Sequence, residues 1–174
     1  MIALSGTPGT GKTSVGEELA KRGHCVIELN RFIQNKGLLG GIDRKRCSYE
    51  VDIEELASAM SHEDIPEGAI VIGHFAHELD VEYIIVLRCR PSVLRSRLEM
   101  RGYPEHKIRE NLEAEALDVI LIEALDTGKE VLEIDTTNRS VKETADAVEE
   151  ILGGEKKKYE AGHLDWSEEV LDWF

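Results

Sequence analysis

Basic residues are scarce in this chain. Its 21 lysines and arginines face 35 aspartates and glutamates, a formal charge of −14. A surface of that sign argues against a general nucleic-acid coat, because phosphate binding needs a basic face. It is what plain solubility requires, and it would also favour a basic partner. Cysteine is scarce too. Cys25, Cys47 and Cys89 are odd in number and widely spaced, with no CxxC or Cys/His zinc pattern. Reduced thiols in a cytoplasmic protein are the expectation. No apolar run approaches the ~20 residues of a membrane span. No signal peptide is expected either, since the opening MIALSG is too short for one and reads as a strand.

What is present suits one domain: 174 residues, 41% of them hydrophobic. Strand and helix signals alternate. Apolar runs at 1–5, 24–29, 69–73, 82–89 and 130–135 read as strands. The runs at 69–73 and 82–89 are apolar throughout, as expected when both faces of a sheet are covered. Helical spacing appears at 12–22, at 52–60 with Asp52 as N-cap, and at 91–101 opened by Pro91. It appears again at 104–128, opened by Pro104 and closed by Gly128, and at 140–154, capped by Ser140. In 104–128 the inner face is traced by Ile108, Leu112, Ala116, Val119 and Ile122 or Glu123. Five apolar strands separated by helices predict an α/β three-layer sandwich on a five-stranded parallel sheet.

Residues 6–13 read GTPGTGKT, a complete G-x-x-x-x-G-K-[ST] phosphate loop between a strand and a helix. Gly9 and Gly11 permit backbone angles and close approach that a side chain would block. Successive amides can then point inward as an anion nest, at the positive end of the following helix. Lys12 supplies a cation for the outer phosphates, and the Thr13 hydroxyl is a magnesium ligand. A bound nucleoside triphosphate is the expectation. An Asn-Lys-x-Asp guanine reader is absent; TTNRS at 136–140 lacks the carboxylate.

A second segment, LRCRPSVLRSRLEMRGYPEHKIRENLEAE (87–115), concentrates Arg88, Arg90, Arg95, Arg97, Arg101 and Arg109 in an acidic protein. Phosphoryl transfer needs cations around the moving group. Arg97 and Arg101 share a helix face one turn apart. Arg101 sits at the helix end beside Gly102, where a short lid could hinge. Arg101 is the expected functional arginine, Arg97 is open between function and support, and Arg95 is expected in solvent.

Together GTPGTGKTS, GHFAH and the run RLxxRGY…K…EN…AE resemble the small adenylate kinases of isoenzyme 6 type, in their archaeal form, over residues 1–152. The resemblance implies a nucleoside-monophosphate-kinase fold with strand order 2-3-1-4-5. It implies a P-loop kinase domain at 1–152, a monophosphate-binding segment at about 28–50, a lid at about 100–110, and an acidic aromatic tail at 153–174. Gly9, Thr10, Gly11, Lys12, Thr13 and Ser14 match the ATP-phosphate loop, and Arg101 matches the lid arginine. His74 matches a histidine linked to ATP hydrolysis. The implied activity transfers the γ-phosphoryl group of ATP to AMP with Mg2+, alongside intrinsic ATPase activity. The eukaryotic relatives also assist maturation of the small ribosomal subunit and bind a basic S11-type ribosomal protein. An assembly factor with incidental kinase activity is therefore the alternative.

The pattern breaks at two positions. Where the family usually carries an acid, two residues before His74, this chain has Ile72; after the second strand it has Arg31, with Glu28 nearby. Magnesium would then rest on Thr13, phosphate oxygens and water, and Ile72→Asp is expected to raise the rate. Arg44, Lys45 and Arg46 are candidate cations for the monophosphate, in a loop that Gly40 and Gly41 loosen. DTTNR (135–139) lies where related kinases hold the ATP adenine. His77, His24, His62, His106 and His163 are expected to be structural or solvated. The tail, with Leu164, Trp166, Val170, Leu171, Trp173 and Phe174, either docks on its own domain or meets a partner.

Overall fold

The computed structural model describes residues 1–38, 40, 42–43, 48–49 and 51–170. In chain order its elements are β1 (Ile2–Ser5), α1 (Lys12–Lys21), β2 (Val26–Glu28), α2 (Leu29–Lys36), β3 (Ile42–Asp43), β4 (Ser48–Tyr49) and α3 (Ile53–Ser61). There follow β5 (Ile70–Ile72), β6 (Tyr83–Arg88), α4 (Pro91–Met100), α5 (Glu105–Ala116), α6 (Val119–Asp126), β7 (Glu130–Asp135), α7 (Val141–Leu152) and α8 (Ser167–Val170). The main sheet runs β2-β5-β1-β6-β7, every pair parallel. Numbered among themselves, these five strands have the expected order 2-3-1-4-5. A separate antiparallel pair, β3 with β4, falls in the segment read as a loop.

Side chains alternate across the sheet because the strand period is two. Leu4, Ile70, Ile72, Ile85, Leu87, Leu132 and Ile134 pack with α1 and α7. Ala3, Val71, Ile84, Val86 and Val131 pack on the other face with Leu29, Ile33, Leu56, Leu121 and Ala124. With both faces covered, these strands can be apolar throughout. The expected caps form. Asp52 accepts from the amides of Glu54 and Glu55, and Ser140 closes a reciprocal capping box with Glu143.

Two expectations need correction. The stretch 24–29 is strand only at Val26–Glu28, and the chain turns at once into α2, which the sequence reading missed. The helix expected over 104–128 is two helices. Asp118, between them, takes a left-handed backbone conformation with φ 56°. That conformation costs an L-residue energy unless local bonds hold it, and aspartate tolerates it better than most. Here the Arg88 guanidinium holds it, donating to the Asp118 carboxylate and to the Glu115 carbonyl. The break also changes the helical phase. Leu121 and Ala124 turn inward, whereas Ile122 and Glu123, expected on the inner face, are exposed.

The tail, expected either to dock on its own domain or to meet a partner, docks on its own domain over the described part. Tyr159 and Trp166 are buried. Glu160 bridges antiparallel to Leu132, and the Gly162 amide donates to Glu133 at 2.5 Å. Glu169 accepts from the amide and hydroxyl of Ser92, at 2.9 and 3.1 Å, and so caps the first turn of α4. The helix in this region is only the single turn α8. Leu171, Trp173 and Phe174, and the Val170 side chain, lie outside the described residues, as do Gly41, Arg44, Lys45, Arg46 and Cys47.

Candidate active site

The loop 6–13 leaves the C-terminal end of β1 and opens α1. Gly11, the residue before the helix, has φ 111°, and Gly9 has φ 95°. A Cβ on Gly9 would lie 2.7 Å from Leu94, so the loop backbone sits directly on α4. Thr10 closes the turn, its hydroxyl donating to the Thr7 carbonyl at 2.9 Å. Lys12 folds back over the loop and donates to the carbonyls of Gly6 and, at 3.0 Å, Thr7. Burial lowers its pKa to about 7; the Glu115 carboxylate works against that shift and the Arg101 charge adds to it. Thr13 is exposed on the first turn of α1, and Ser14 is half-buried beside it.

The six clustered arginines separate cleanly. Arg88 is buried among carboxylates, Arg95 pairs with Glu99 and Glu105, and Arg109 pairs with Glu113. Arg90 lies over the Trp166 ring at 6.0 Å. Arg97 donates to the Thr136 hydroxyl and carbonyl at 3.0 and 2.6 Å. It therefore holds the 135–139 loop, whose Thr136 hydroxyl lies 3.0 Å from the Thr10 carbonyl. Arg101 ends α4, exposed, and alone of the six its side chain makes no hydrogen bond or ion pair with another described residue. It is close enough to Lys12 for its charge to act there.

His74 follows β5 and Gly73 and is also near Lys12. Desolvation in the cleft, then the Lys12 charge, then His77, push its pKa down to about 4, so its ring is neutral at pH 7. Lys12, Arg101 and His74 thus come together, with Thr13 at the helix start. His77 is buried instead, its backbone amide donating to the Ser5 hydroxyl at 3.1 Å and its Nδ1 3.2 Å from the same oxygen.

A buried polar network escaped the sequence reading. Glu115 of α5 accepts from the Thr7 hydroxyl at 2.5 Å, from Arg88 Nε at 2.8 Å and from the Cys89 amide at 3.0 Å. Arg88 also donates to Glu133 at 2.6 Å. Burial opposes the Arg88 charge, but Glu115, Asp118 and Glu133 outweigh it and raise its pKa. A signal was available: Glu115 lies at helical spacing from Ile108 and Leu112, a carboxylate on an inward face.

Beside the phosphate loop opens a cavity of about 910 Å³, lined by Pro8, His74 and Phe75, by Asn30, Ile33 and Gln34 of α2, and by Val51 and Ile53. Tyr103, residues Lys107, Glu110 and Asn111 of α5, Val119, Ile120 and Glu123 of α6, and Glu78 complete its wall. Lys107 is thus a cation at this cavity that the sequence reading passed over, paired with Glu110 at 3.2 Å. Among the described residues no cluster of three or more His, Cys, Asp or Glu could hold a metal. Ile72, at the strand end, is 3% exposed and faces Gly16 so closely that a Cβ there would lie 2.5 Å from Ile72 Cδ1.

A family model described as an AAA domain matches residues 2–118. A protein from Archaeoglobus fulgidus named "Putative adenylate kinase" is 46% identical, over 99% of this chain and 94% of its own length. One of the same name from Methanothermobacter thermautotrophicus is 48% identical, over 90% of this chain and 91% of its own. The chain belongs to this archaeal family. A relative in the family, from Methanocaldococcus jannaschii, is 41% identical over 99% of the chain and 96% of its own length. Among solved structures, a shikimate kinase from Acinetobacter baumannii in complex with shikimate superposes with a TM-score of 0.61. At 16% identity, over 90% of this chain and 94% of that one, it shows a shared P-loop kinase fold.

Proposed function

We propose that the protein is a nucleoside monophosphate kinase, moving the γ-phosphoryl group of ATP to a monophosphate, with AMP as the natural acceptor (ATP + AMP = 2 ADP). The observation that carries this reading is the 910 Å³ cavity against the phosphate loop, at His74 and Pro8. A simple ATP switch needs no second chamber there, whereas a kinase needs one for its acceptor. The names of the archaeal relatives support adenine nucleotides.

The amides of residues 9–14 would cradle the ATP phosphates, with Lys12 and Arg101 offsetting the charge that spreads over the transferred group. Thr13 would hold the magnesium that accompanies the nucleotide, which would supply further positive charge against the phosphates. Arg97 would steady the 135–139 loop as the adenine wall. Lys107 stands in the acceptor chamber as a cation for the monophosphate. The chemistry needs no protein nucleophile, only two nucleotides held in line. His74, neutral at pH 7, would orient the acceptor phosphate or, without an acceptor, a water, which gives a slow ATPase activity. Histidine 74 replaced by alanine should then lose that hydrolysis; a normal rate would remove the role.

A second reading is favoured by Ile72. A strand end that usually carries an acid in the resembled family is here closed with hydrocarbon, which suits slow turnover. With a charge of −14, the protein would then act as an ATP-dependent assembly factor on a basic S11-type ribosomal protein in the cytoplasm. A coupled assay of ADP formation, with and without each monophosphate and with a purified S11-type protein, separates the two. Stimulation by AMP supports the kinase; stimulation by the protein alone defeats it.

A further inference from the structure

Glu115 stands on α5, 108 residues from Thr7 in the chain, yet its carboxylate meets the phosphate loop at 2.5 Å. It is 2% exposed. Burying a carboxylate is costly, and this one is compensated by Arg88 Nε and the Cys89 amide on its other oxygen. Arg88 is fixed in turn by Glu133 and Asp118, so Glu115 has little freedom. Thr7 is the second residue of the loop, and its carbonyl receives Lys12 Nζ, Thr10 N and Thr10 Oγ1. Three loop contacts therefore hang on the one residue whose hydroxyl Glu115 holds. The same helix, α5, carries Lys107, Glu110 and Asn111 on the wall of the large cavity.

A structural account alone would ask only for a satisfied buried ion pair. Arg88 already has two other carboxylates, however, and the third is spent on the phosphate loop. We propose that Glu115 is a positioning residue for the phosphate loop, fixing Thr7 from α5 and, through Thr7, the loop contacts that Lys12 and Thr10 make with it. This rests on the phosphate loop being the ATP site.

The test uses full-length protein and ATP with magnesium, its dissociation constant measured by calorimetry. Glu115→Gln keeps the side-chain shape and the acceptor for Arg88 but removes the charge. Thr7→Val removes the hydroxyl, and Thr7→Ser restores it. Expected is a weaker ATP affinity in Thr7→Val, about tenfold for a lost charge-assisted bond, with Thr7→Ser near wild type. Glu115→Gln, which leaves the Thr7 hydroxyl a neutral acceptor, is expected to weaken ATP binding in the same direction by a smaller factor. Should Glu115→Gln fail to fold, the Thr7 pair still decides. Folded Glu115→Gln or Thr7→Val that binds ATP like wild type overturns the inference. Wild-type protein that binds no ATP overturns the site reading instead.

Discussion

Lys12 shows how one residue carries both fold and function. In the free loop it serves as an internal strut to two carbonyls, and burial lowers its pKa to about 7. ATP phosphates favour the charged amine, so the pKa rises in the complex. Between the two values the complex holds one proton more than the free protein. ATP binding at pH 8 should therefore take up a proton, and affinity should fall as pH rises above 7. Calorimetry in buffers of different ionisation enthalpy reads this directly; a heat independent of buffer at pH 8 excludes it. Ile72 gives the opposite kind of residue, one whose functional promise the packing removes. Its side chain fills the gap over Gly16, and an aspartate there would bury a carboxylate against α1. Ile72→Asp should lose about 2–5 kcal/mol of stability with no gain in rate, while Ile72→Val loses about 1 kcal/mol. Urea denaturation with the coupled assay checks both. A stable, faster Ile72→Asp protein would restore the expectation drawn from the sequence.

At the level of elements, what could be read in advance was what local pattern determines. Apolar runs placed all five strands of the sheet, and Asp52, Ser140 and Pro91 marked helix starts. The phosphate loop could be placed between β1 and α1 because its motif and spacing are local. What long-range contacts decide was not legible. The break at Asp118 depends on Arg88, thirty residues earlier, and the Thr7–Glu115 bond spans 108 residues. α2 was missed because LNRFIQNK is short and follows the strand with no intervening turn signal. The break yields an ordering of variants. Asp118→Asn keeps tolerance for the left-handed conformation but loses the charge that meets Arg88. Asp118→Ala loses both. Alanine should cost about 1 kcal/mol more than asparagine. Equal costs in chemical denaturation would mean that the conformation itself carries no penalty and that Arg88 alone sets the corner.

Across the whole molecule, the tail adds a second tie between β7 and α4. Glu160 and Gly162 attach it to β7, Glu169 caps α4, and Trp166 lies under Arg90. Arg90 in turn donates its amide to Thr137, in the loop that Arg97 holds. Gly162 bonds the second oxygen of Glu133, whose first oxygen bonds Arg88. The chain of contacts thus runs from the tail through Glu133, Arg88 and Glu115 to Thr7 in the phosphate loop. Truncation after Gly154 removes Tyr159 and Trp166 from their buried sites and leaves Glu133 half-satisfied. Burial of two large aromatics and a lost cap together should lower stability by several kcal/mol, at about 1.5–3 kcal/mol per buried side chain. For a domain of this size that is roughly a 10 °C fall in melting temperature. If the network transmits it, ATP affinity falls as well, and in the same sense as in Glu115→Gln. A tail that served a partner alone would leave melting and ATP affinity unchanged and abolish only binding to the basic protein. Thermal melting and ATP titration of the truncated protein, each beside the full chain, distinguish a structural strap from a docking arm.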